Sequence, residues 1–270
     1  MNKLRDFFKG LIDIIRNPAM LLLPGNLAFF IMLAVFPILT LIGVIVSYLG
    51  ITFDISFISN VLPNNIVDIF APYIQGKGFD SNVGIFMIIG LIMASNGADA
   101  IVLASNSLYD IPNTGYIRRR LKDFFLIFLI IFIFVFLLAV FTFGTLIFKF
   151  LLNYISAEYI TAVYKVFLLL RWPIAMFVIY FIVKLIYILA PDSKIERKTT
   201  TQGALFTTIV WTLATAIFSY YIKHFSNYDI FYGSLSNIII LILWIYMLSY
   251  ILVIGIAINV EKDKKVEKDE

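Results

Sequence analysis

Six long runs of apolar residues alternate with shorter polar connections along the chain. Each run is long enough to cross the hydrocarbon core of a bilayer, which is roughly 30 Å thick and takes about 20 residues of helix. Because backbone groups in lipid must find their hydrogen-bond partners within the segment, the runs are predicted to be helices. The predicted spans are residues 27–49, 82–105, 123–148, 168–190, 202–222 and 236–259. The pattern therefore predicts an all-α fold, an integral membrane bundle of six transmembrane helices.

Shorter amphipathic patterns lie outside the predicted spans. Residues 3–17 place apolar side chains on one helical face and charged ones elsewhere, which is typical of a helix lying on the inner leaflet. Pro18 and then Pro24–Gly25 are expected to end that helix. The outer connections, residues 50–81 and 149–167, repeat apolar residues between polar ones. Short amphipathic helices against the outer membrane face are expected there.

The same pattern indicates how the chain is divided. No linker composition interrupts residues 1–260, so they are taken as one six-span domain. Residues 261–270 are almost entirely charged, a composition typical of a disordered cytoplasmic tail. Pro37 lies within the first span and is expected to kink it. Gly233 and Ser234 are expected to form a turn at the outer end of the sixth span.

Most of the 21 Lys and Arg residues fall in four segments, which lie before the first span, between the second and third, between the fourth and fifth, and after the sixth. Cytoplasmic connections of membrane proteins are enriched in Lys and Arg. The distribution therefore predicts that both termini, the second-to-third connection and the fourth-to-fifth connection lie in the cytoplasm. The four segments contain Lys3, Arg5, Lys9 and Arg16; Arg118, Arg119, Arg120 and Lys122; Lys194, Arg197 and Lys198; and Lys262, Lys264, Lys265 and Lys268.

Composition agrees with a membrane protein and narrows the chemistry. The chain is 61% hydrophobic and only 14% charged, whereas an average soluble domain is about 25% charged. Its basic residues lie at span ends, where they meet anionic headgroups, so no nucleic-acid partner is expected. The chain has no cysteine and one histidine, His224, which argues against disulfides, metal centres and a histidine-based catalytic site. No cofactor, metal ligand or catalytic residue is therefore predicted.

The second span carries the most polar stretch of any span, Ser95, Asn96 and Asp99. A carboxylate about two turns inside a span is costly and usually faces the bundle interior or a water-filled cavity. One interpretation of Asp99 is a proton or cation relay or a substrate contact, and the other is a structural hydrogen-bonded pair. The small residues Ala94 and Ala98, at four-residue spacing, also predict a face for close helix approach.

Two cations lie in the fourth span, Arg171 near its outer end and Lys184 near its inner end. Lys184 and Asp99 are expected at comparable depth, so a pair between them would offset part of the cost of burying each charge. The alternative is that Lys184 extends to the inner headgroups. Arg171 either binds a phosphate of the outer leaflet or anchors the helix end.

The fifth span places Thr208, Thr212 and Thr215 on one stripe, which Ser219 continues. Hydroxyls at that spacing either pair across helices and line a polar groove or bond the backbone of their own helix. Together with the polar residues of the second span, they define a possible polar seam. The candidate substrate-binding residues are Ser95, Asn96, Asp99, Arg171, Lys184, Thr208, Thr212 and Thr215.

Several distinct sequence motifs are spread over nearly the whole chain. They are Asn26–Phe30 with Phe36–Leu39, Asn96–Ala100 with Asn106–Tyr109, Ala190–Asp192 with Gly203–Ala204, and a last block of Tyr221, His224–Phe225, Tyr228, Tyr232–Leu235, Leu243–Tyr246 and Gly255–Asn259. These motifs resemble the YihY/virulence factor BrkB family. The resemblance implies a six-span protein of the bacterial cytoplasmic membrane without a settled activity. The family usually has an Arg or another polar residue near 95–99, so no role for Asp99 carries over.

The resemblance also brings an old label, ribonuclease BN, which the residues do not support. Phosphodiester hydrolysis usually uses clustered carboxylates or histidines that hold metal ions, and the sequence shows no such motif. The favoured hypothesis is a non-enzymatic membrane protein that transports or translocates a lipid or other amphiphile, with membrane lipids as partners. The alternative is an envelope scaffold or a virulence or serum-resistance factor that binds envelope proteins. The oligomeric state is left open.

Overall fold

The fold is described from a computed structural model, for residues 12, 16, 18–48, 81–112, 115–138, 157–225 and 233–269. Within these ranges the chain is helical and contains no β-strand, as the apolar pattern predicts. The long helices are α1 (Ala19–Tyr48), α2 (Ser81–Leu108), α3 (Tyr116–Leu138), α4 (Ala157–Leu189), α5 (Thr200–Phe225) and α6 (Ser236–Asp269). A 3-10 turn, Gly233–Leu235, directly precedes α6, where the sequence predicts a turn.

Three of the described helices are apolar and long enough to cross a membrane. Their apolar segments are Trp172–Leu189 in α4, Thr200–Ile222 in α5 and Ile238–Lys264 in α6. Helix α1 adds a shorter apolar segment, Met20–Ala34. An integral membrane protein follows from these helices, while the full count of six spans stays a prediction.

Helix α1 begins earlier than the sequence suggests. It runs unbroken from Ala19 through Pro24–Gly25, so the expectation of a break there is wrong. Proline removes one backbone donor, and membrane helices tolerate this where neighbouring groups satisfy the freed carbonyl. The backbone N–H of Leu21 donates to the Pro18 carbonyl (3.1 Å) and forms the first turn. The predicted interfacial helix at 3–17 lies outside the described residues, except for two helical positions.

The ends of two other helices differ from the prediction. Helix α4 begins at Ala157, so residues 157–167 extend the helix and are not part of a connection. At 33 residues it is about 50 Å long at 1.5 Å per residue. Helix α6 continues to Asp269, so the predicted disordered tail is helical as far as that residue.

The remaining amphipathic helices that the sequence predicts, in the outer connections, fall at residues 50–80 and 149–156, outside the described residues. Among the described helices, α2 packs on α1 and α3, α4 packs on α3 and α5, and α6 packs on α1, α2 and α5. Ala94 and Ala98 of α2 are buried, as their small-residue spacing predicts. A β-carbon at Gly97 would lie 3.4 Å from the Phe30 carbonyl oxygen, so α1 and α2 are in close contact there.

Helices α5 and α6 are in still closer contact. A β-carbon added at Gly203 would overlap the carbonyl oxygen of Gly255, and one added at Gly255 would overlap the hydroxyls of Thr207 and Tyr187. Asn259 Oδ1 of α6 accepts a hydrogen bond from the backbone N–H of Gly203 (2.7 Å). Gly203 lies in the first turn of α5, where backbone donors have no partner within the helix. Asn259 therefore satisfies one of these donors from a neighbouring helix.

A buried tyrosine joins α4 to the same contact. The Tyr187 hydroxyl donates to the Leu252 carbonyl of α6 (2.9 Å) and lies 2.6 Å from the Thr207 hydroxyl of α5. Because Tyr187 has one proton and gives it to Leu252, Thr207 must donate to Tyr187. One side chain thus links three helices through hydrogen bonds that are buried away from water.

Gly255→Ala tests this contact. The added methyl group has no free volume, and overpacking a core commonly costs about 1–3 kcal/mol. We expect a clear fall in the thermal unfolding midpoint of the purified protein in detergent. Gly115→Ala is the matched control, since nothing lies within 4 Å of a β-carbon there. Equal midpoints for the two variants would contradict the close α5–α6 contact.

Candidate functional site

The chain reverses direction in a tight turn at the end of α2. The backbone N–H of Ile111 donates to the Asn106 carbonyl (2.9 Å), and Asp110 adopts a left-handed conformation with φ 55°. This is the Schellman arrangement that ends many helices, usually with glycine at the left-handed position. The turn brings the basic first turns of α3, which begins at Tyr116, back towards the polar residues of α2.

Asp99 of α2 is paired with Arg119 of α3. Arg119 Nε lies 2.6 Å from Asp99 Oδ1, and the two side chains are 19% and 21% exposed. The orientation makes this an ion pair and not an aligned hydrogen bond. Lys184, the partner that the sequence suggested, instead donates to the Thr201 hydroxyl (2.9 Å). Asp99 is therefore paired with a cation other than Lys184, and whether it serves as a structural pair or as a relay or substrate contact stays a prediction.

Arg120 reaches a second residue of α2. Its Nη1 donates to Asn96 Oδ1 (2.9 Å) and lies 4.0 Å from Asp123 Oδ2. The Asp123 side chain is only 1% exposed. Its other oxygen, Oδ1, is buried and has no hydrogen-bond partner among the described residues. Arg120 is thus bonded to a neutral amide while a buried carboxylate lies just beyond bonding distance.

Lys122 links α3 to the segment that follows α4. It forms an ion pair with Asp192 and donates to the carbonyls of Ala190 (3.1 Å) and Pro191 (3.0 Å). Asp192 and Asn106 of α2 exchange two hydrogen bonds, from Asn106 Nδ2 to Asp192 Oδ2 (2.8 Å) and from the Asp192 backbone N–H to Asn106 Oδ1 (2.9 Å). Three elements are therefore joined at one end of the molecule.

These contacts form one connected group, which we call the charged cluster. It consists of Asn96, Asp99, Asn106, Arg119, Arg120, Lys122, Asp123 and Asp192. Its three cations and three carboxylates carry no net charge when all are ionised. Since most of its side chains are largely buried, changing the charge of one member changes the field at every other.

The other predicted site residues do not join this cluster. Ser95 donates to the Ile92 carbonyl of its own helix (2.9 Å). Thr208 donates to the Ala204 carbonyl (2.8 Å) and Thr212 to the Thr208 carbonyl (2.9 Å), also within one helix. Thr215 accepts a long hydrogen bond from Trp244 Nε1 of α6 (3.4 Å).

The predicted polar seam is therefore divided in this structure. Asn96 and Asp99 of α2 contact α3, whereas α5 packs on α4 and α6. Arg171 lies in α4, and its side chain falls outside the described part of the protein. Whether any of these residues binds a substrate stays a prediction.

Sequence reasoning missed the α3 members of the cluster as site residues. It used Arg119, Arg120 and Lys122 only to predict orientation, and it did not single out Asp123. A signal was present, because Asp123 follows Arg119 by four residues and Arg120 by three, the spacings at which helical side chains meet. Counting Lys and Arg to predict orientation does not reveal this spacing, because it depends on which side chains are neighbours on the helix.

These features define an integral membrane protein with an all-helical fold and a charged cluster at one end. The chain matches the Virulence factor BrkB family over residues 15–270 and belongs to that family. It is 29% identical over 250 residues to the putative ribonuclease-like protein YfkH of Bacillus subtilis (strain 168), covering 90% of each chain. It is 26% identical over 265 residues to a UPF0761 membrane protein of Vibrio campbellii, covering 94% of this chain and 81% of the relative. No solved structure matches it.

A double-mutant cycle tests the Asp99–Arg119 pair. Asp99→Asn, Arg119→Gln and the double variant are expected to give a coupling free energy of about 1–3 kcal/mol, since the pair is mostly shielded from water and poorly replaced by neutral groups. Urea or thermal unfolding in detergent measures it. The exposed pair Lys264–Asp110, with side chains 59% and 80% exposed, is the control and should show little coupling. Additive effects at Asp99 and Arg119 would contradict the pairing.

Proposed function

We propose that the protein spans the bacterial cytoplasmic membrane six times, with both termini in the cytoplasm. Three of the basic segments that predict this topology converge in the structure. Lys122, between the second and third spans, pairs with Asp192, between the fourth and fifth. Lys264, after the sixth span, lies 3.4 Å from Asp110. Segments that meet at one end of the bundle must lie on one side of the membrane, which supports a common cytoplasmic face.

Fusions test the orientation directly. Green fluorescent protein folds in the cytoplasm and alkaline phosphatase is active outside it. We expect fluorescence from fusions at either terminus, and phosphatase activity from a fusion in the connection at 226–232 but not from either terminus. Phosphatase activity at one terminus and fluorescence at the other would contradict an even number of spans.

We further propose that the protein handles an anionic lipid or other amphiphile. Helix α3 supports this proposal, because its first turns contain both cations and a stripe of exposed apolar side chains. Five large apolar side chains at spacings of three and four residues are each more than half exposed: Ile117, Leu121, Phe125, Phe128 and Phe132. Arg119, Arg120 and Lys122, in the same turns, are about one-fifth exposed.

An amphiphile matches both parts of α3. Acyl chains lie against an exposed apolar stripe without loss of hydrophobic contact, and an anionic headgroup is attracted to Lys and Arg at the cytoplasmic surface. Arg119 is the group best placed to exchange partners, since its guanidinium makes an unaligned contact with Asp99. A phosphate offers aligned, bidentate hydrogen bonds. Replacing one oxyanion by another leaves the guanidinium paired throughout the exchange.

Flux of fluorescent lipid tests this function. The full-length protein is placed in liposomes of phosphatidylethanolamine and phosphatidylglycerol that contain a trace of headgroup-labelled or tail-labelled lipid. We expect the fraction of lipid accessible to a membrane-impermeant quencher to rise above that of protein-free liposomes. Arg119→Gln is expected to lower the rate several-fold, because the headgroup loses its bidentate partner.

The control for this assay is Lys264→Gln, which removes an exposed cation at the same end of the protein. A rate that falls equally in both variants would indicate general surface charge and not the cluster. Flux no higher than in empty liposomes, from protein that elutes as a single folded species, would contradict the lipid function and favour the envelope-scaffold alternative.

A role without catalysis is part of this proposal. The Bacillus subtilis relative is named a putative ribonuclease-like protein, and the name raises the question of nuclease activity. This chain has one histidine and no cysteine, and the carboxylates of its charged cluster are paired with or lie beside cations. Metal-assisted hydrolysis needs carboxylates or histidines free to hold the ion. The residue inventory therefore supports a transport role over a hydrolytic one.

A further inference from the structure

Among the ionisable residues of the charged cluster, Asp123 has the side chain whose need for hydrogen-bond and ion-pair partners is met least. Its side chain is 1% exposed, and Oδ1 has no hydrogen-bond donor among the described residues. The nearest cation to Oδ2 is Arg120 Nη1, at 4.0 Å. An ionised carboxylate usually accepts several hydrogen bonds when it is buried, and leaving it without them is costly.

The neighbouring cations are engaged elsewhere. Arg120 Nη1 donates to Asn96 (2.9 Å), and Arg119 Nε lies against Asp99 (2.6 Å). Lys122 is held by Asp192 and two backbone carbonyls. Had Asp123 been ionised, Arg120 would gain more by bonding its carboxylate than by bonding a neutral amide, because charge-assisted hydrogen bonds are roughly twice as strong. The contact of Arg120 Nη1 with Asn96 in place of Asp123 fits a neutral carboxylic acid at Asp123.

We propose that Asp123 is a proton-binding site, occupied in the arrangement seen here. Release breaks the carboxyl O–H bond and transfers the proton to water, leaving a carboxylate that needs a cation. Arg120 Nη1, 4.0 Å from Oδ2, is the nearest described cation and is the same atom that donates to Asn96. In this proposal it turns from the Asn96 amide to the carboxylate once the proton leaves. Proton occupancy is thus coupled to the contact between α2 and α3. This site does not depend on the lipid function.

The charged groups around Asp123 carry both signs. Asp99 on α2 lies against Arg119, and Arg120 and Lys122 of the same helix as Asp123 are bonded to Asn96 and Asp192. From the segment after α4, Asp192 offsets Lys122 by pairing with it. With Asp123 neutral, the cluster has one more cation than carboxylate, and proton release restores the balance.

Infrared difference spectroscopy of the full-length protein in lipid nanodiscs measures this proton. The wild type is expected to show the carbonyl stretch of a protonated carboxyl group near neutral pH, and to lose it as the pH is raised. Asp123→Asn should lack this band, and its amide is close in size to the neutral acid. Asp110→Asn is the matched control, because that side chain is 80% exposed, and it should retain the band.

Asn96→Ala tests the coupling to Arg120. Removing the competing acceptor lets Arg120 turn to Asp123, so the carboxyl should bind its proton about tenfold more weakly, and the band should disappear about one pH unit lower. An unchanged titration in Asn96→Ala would overturn the coupling. The absence of a titrating band in folded wild type, or its persistence in Asp123→Asn, would overturn the proton site. Should Asp123→Asn fail to fold, Asp123→Glu must still shift the titration.

Discussion

Helices in a bilayer are not held together by the hydrophobic effect, because lipid chains are as apolar as the side chains they replace. Buried polar bonds and close backbone contact must do so. In this protein both occur where α4, α5 and α6 meet. Tyr187 hydrogen bonds to α5 and α6, and Asn259 satisfies a backbone donor at the start of α5. Gly203 and Gly255 allow the backbones to approach closely enough for these bonds to form.

The charged cluster holds the remaining elements by the same physical means. Helix α3 packs on α2 and α4 and exposes its apolar stripe on another side, so apolar burial alone does not fix its position. Arg119 and Arg120 bind it to α2, and Lys122 binds it to the segment after α4. Each bond is largely shielded from water, so breaking one would leave a buried charge without its partner. As a consequence, a change in the charge of one member of the cluster alters the electrostatic energy of the others.

The apolar pattern predicts the helical class and the approximate position of each described helix, because lipid imposes both. It does not predict where helices start when a proline is tolerated, as at Pro24, or when a polar connection continues the helix, as at Ala157. The pattern also predicts how deep a residue lies in the membrane, but it does not predict which residues of other helices lie beside it. Lys184 and Asp99 were expected at one depth, but the partner of Asp99 is Arg119. Choosing between them requires knowing which helices adjoin.

Asp123 is the residue at which the packing of α3 and the proposed proton site meet. A buried acid whose nearest cation is engaged elsewhere adds little to stability, and replacing buried ion pairs with apolar residues of similar volume is often neutral or stabilising. If the cluster served only to hold α3 in place, the contacts of Asp99 and Asp192 would suffice and an apolar residue would fit better at 123. An acid that is 1% exposed and lacks a donor at Oδ1 is consistent with a group whose charge changes. A proton site there would link the charge of Asp123 to the partner of Arg120, and with it to the contact between α2 and α3.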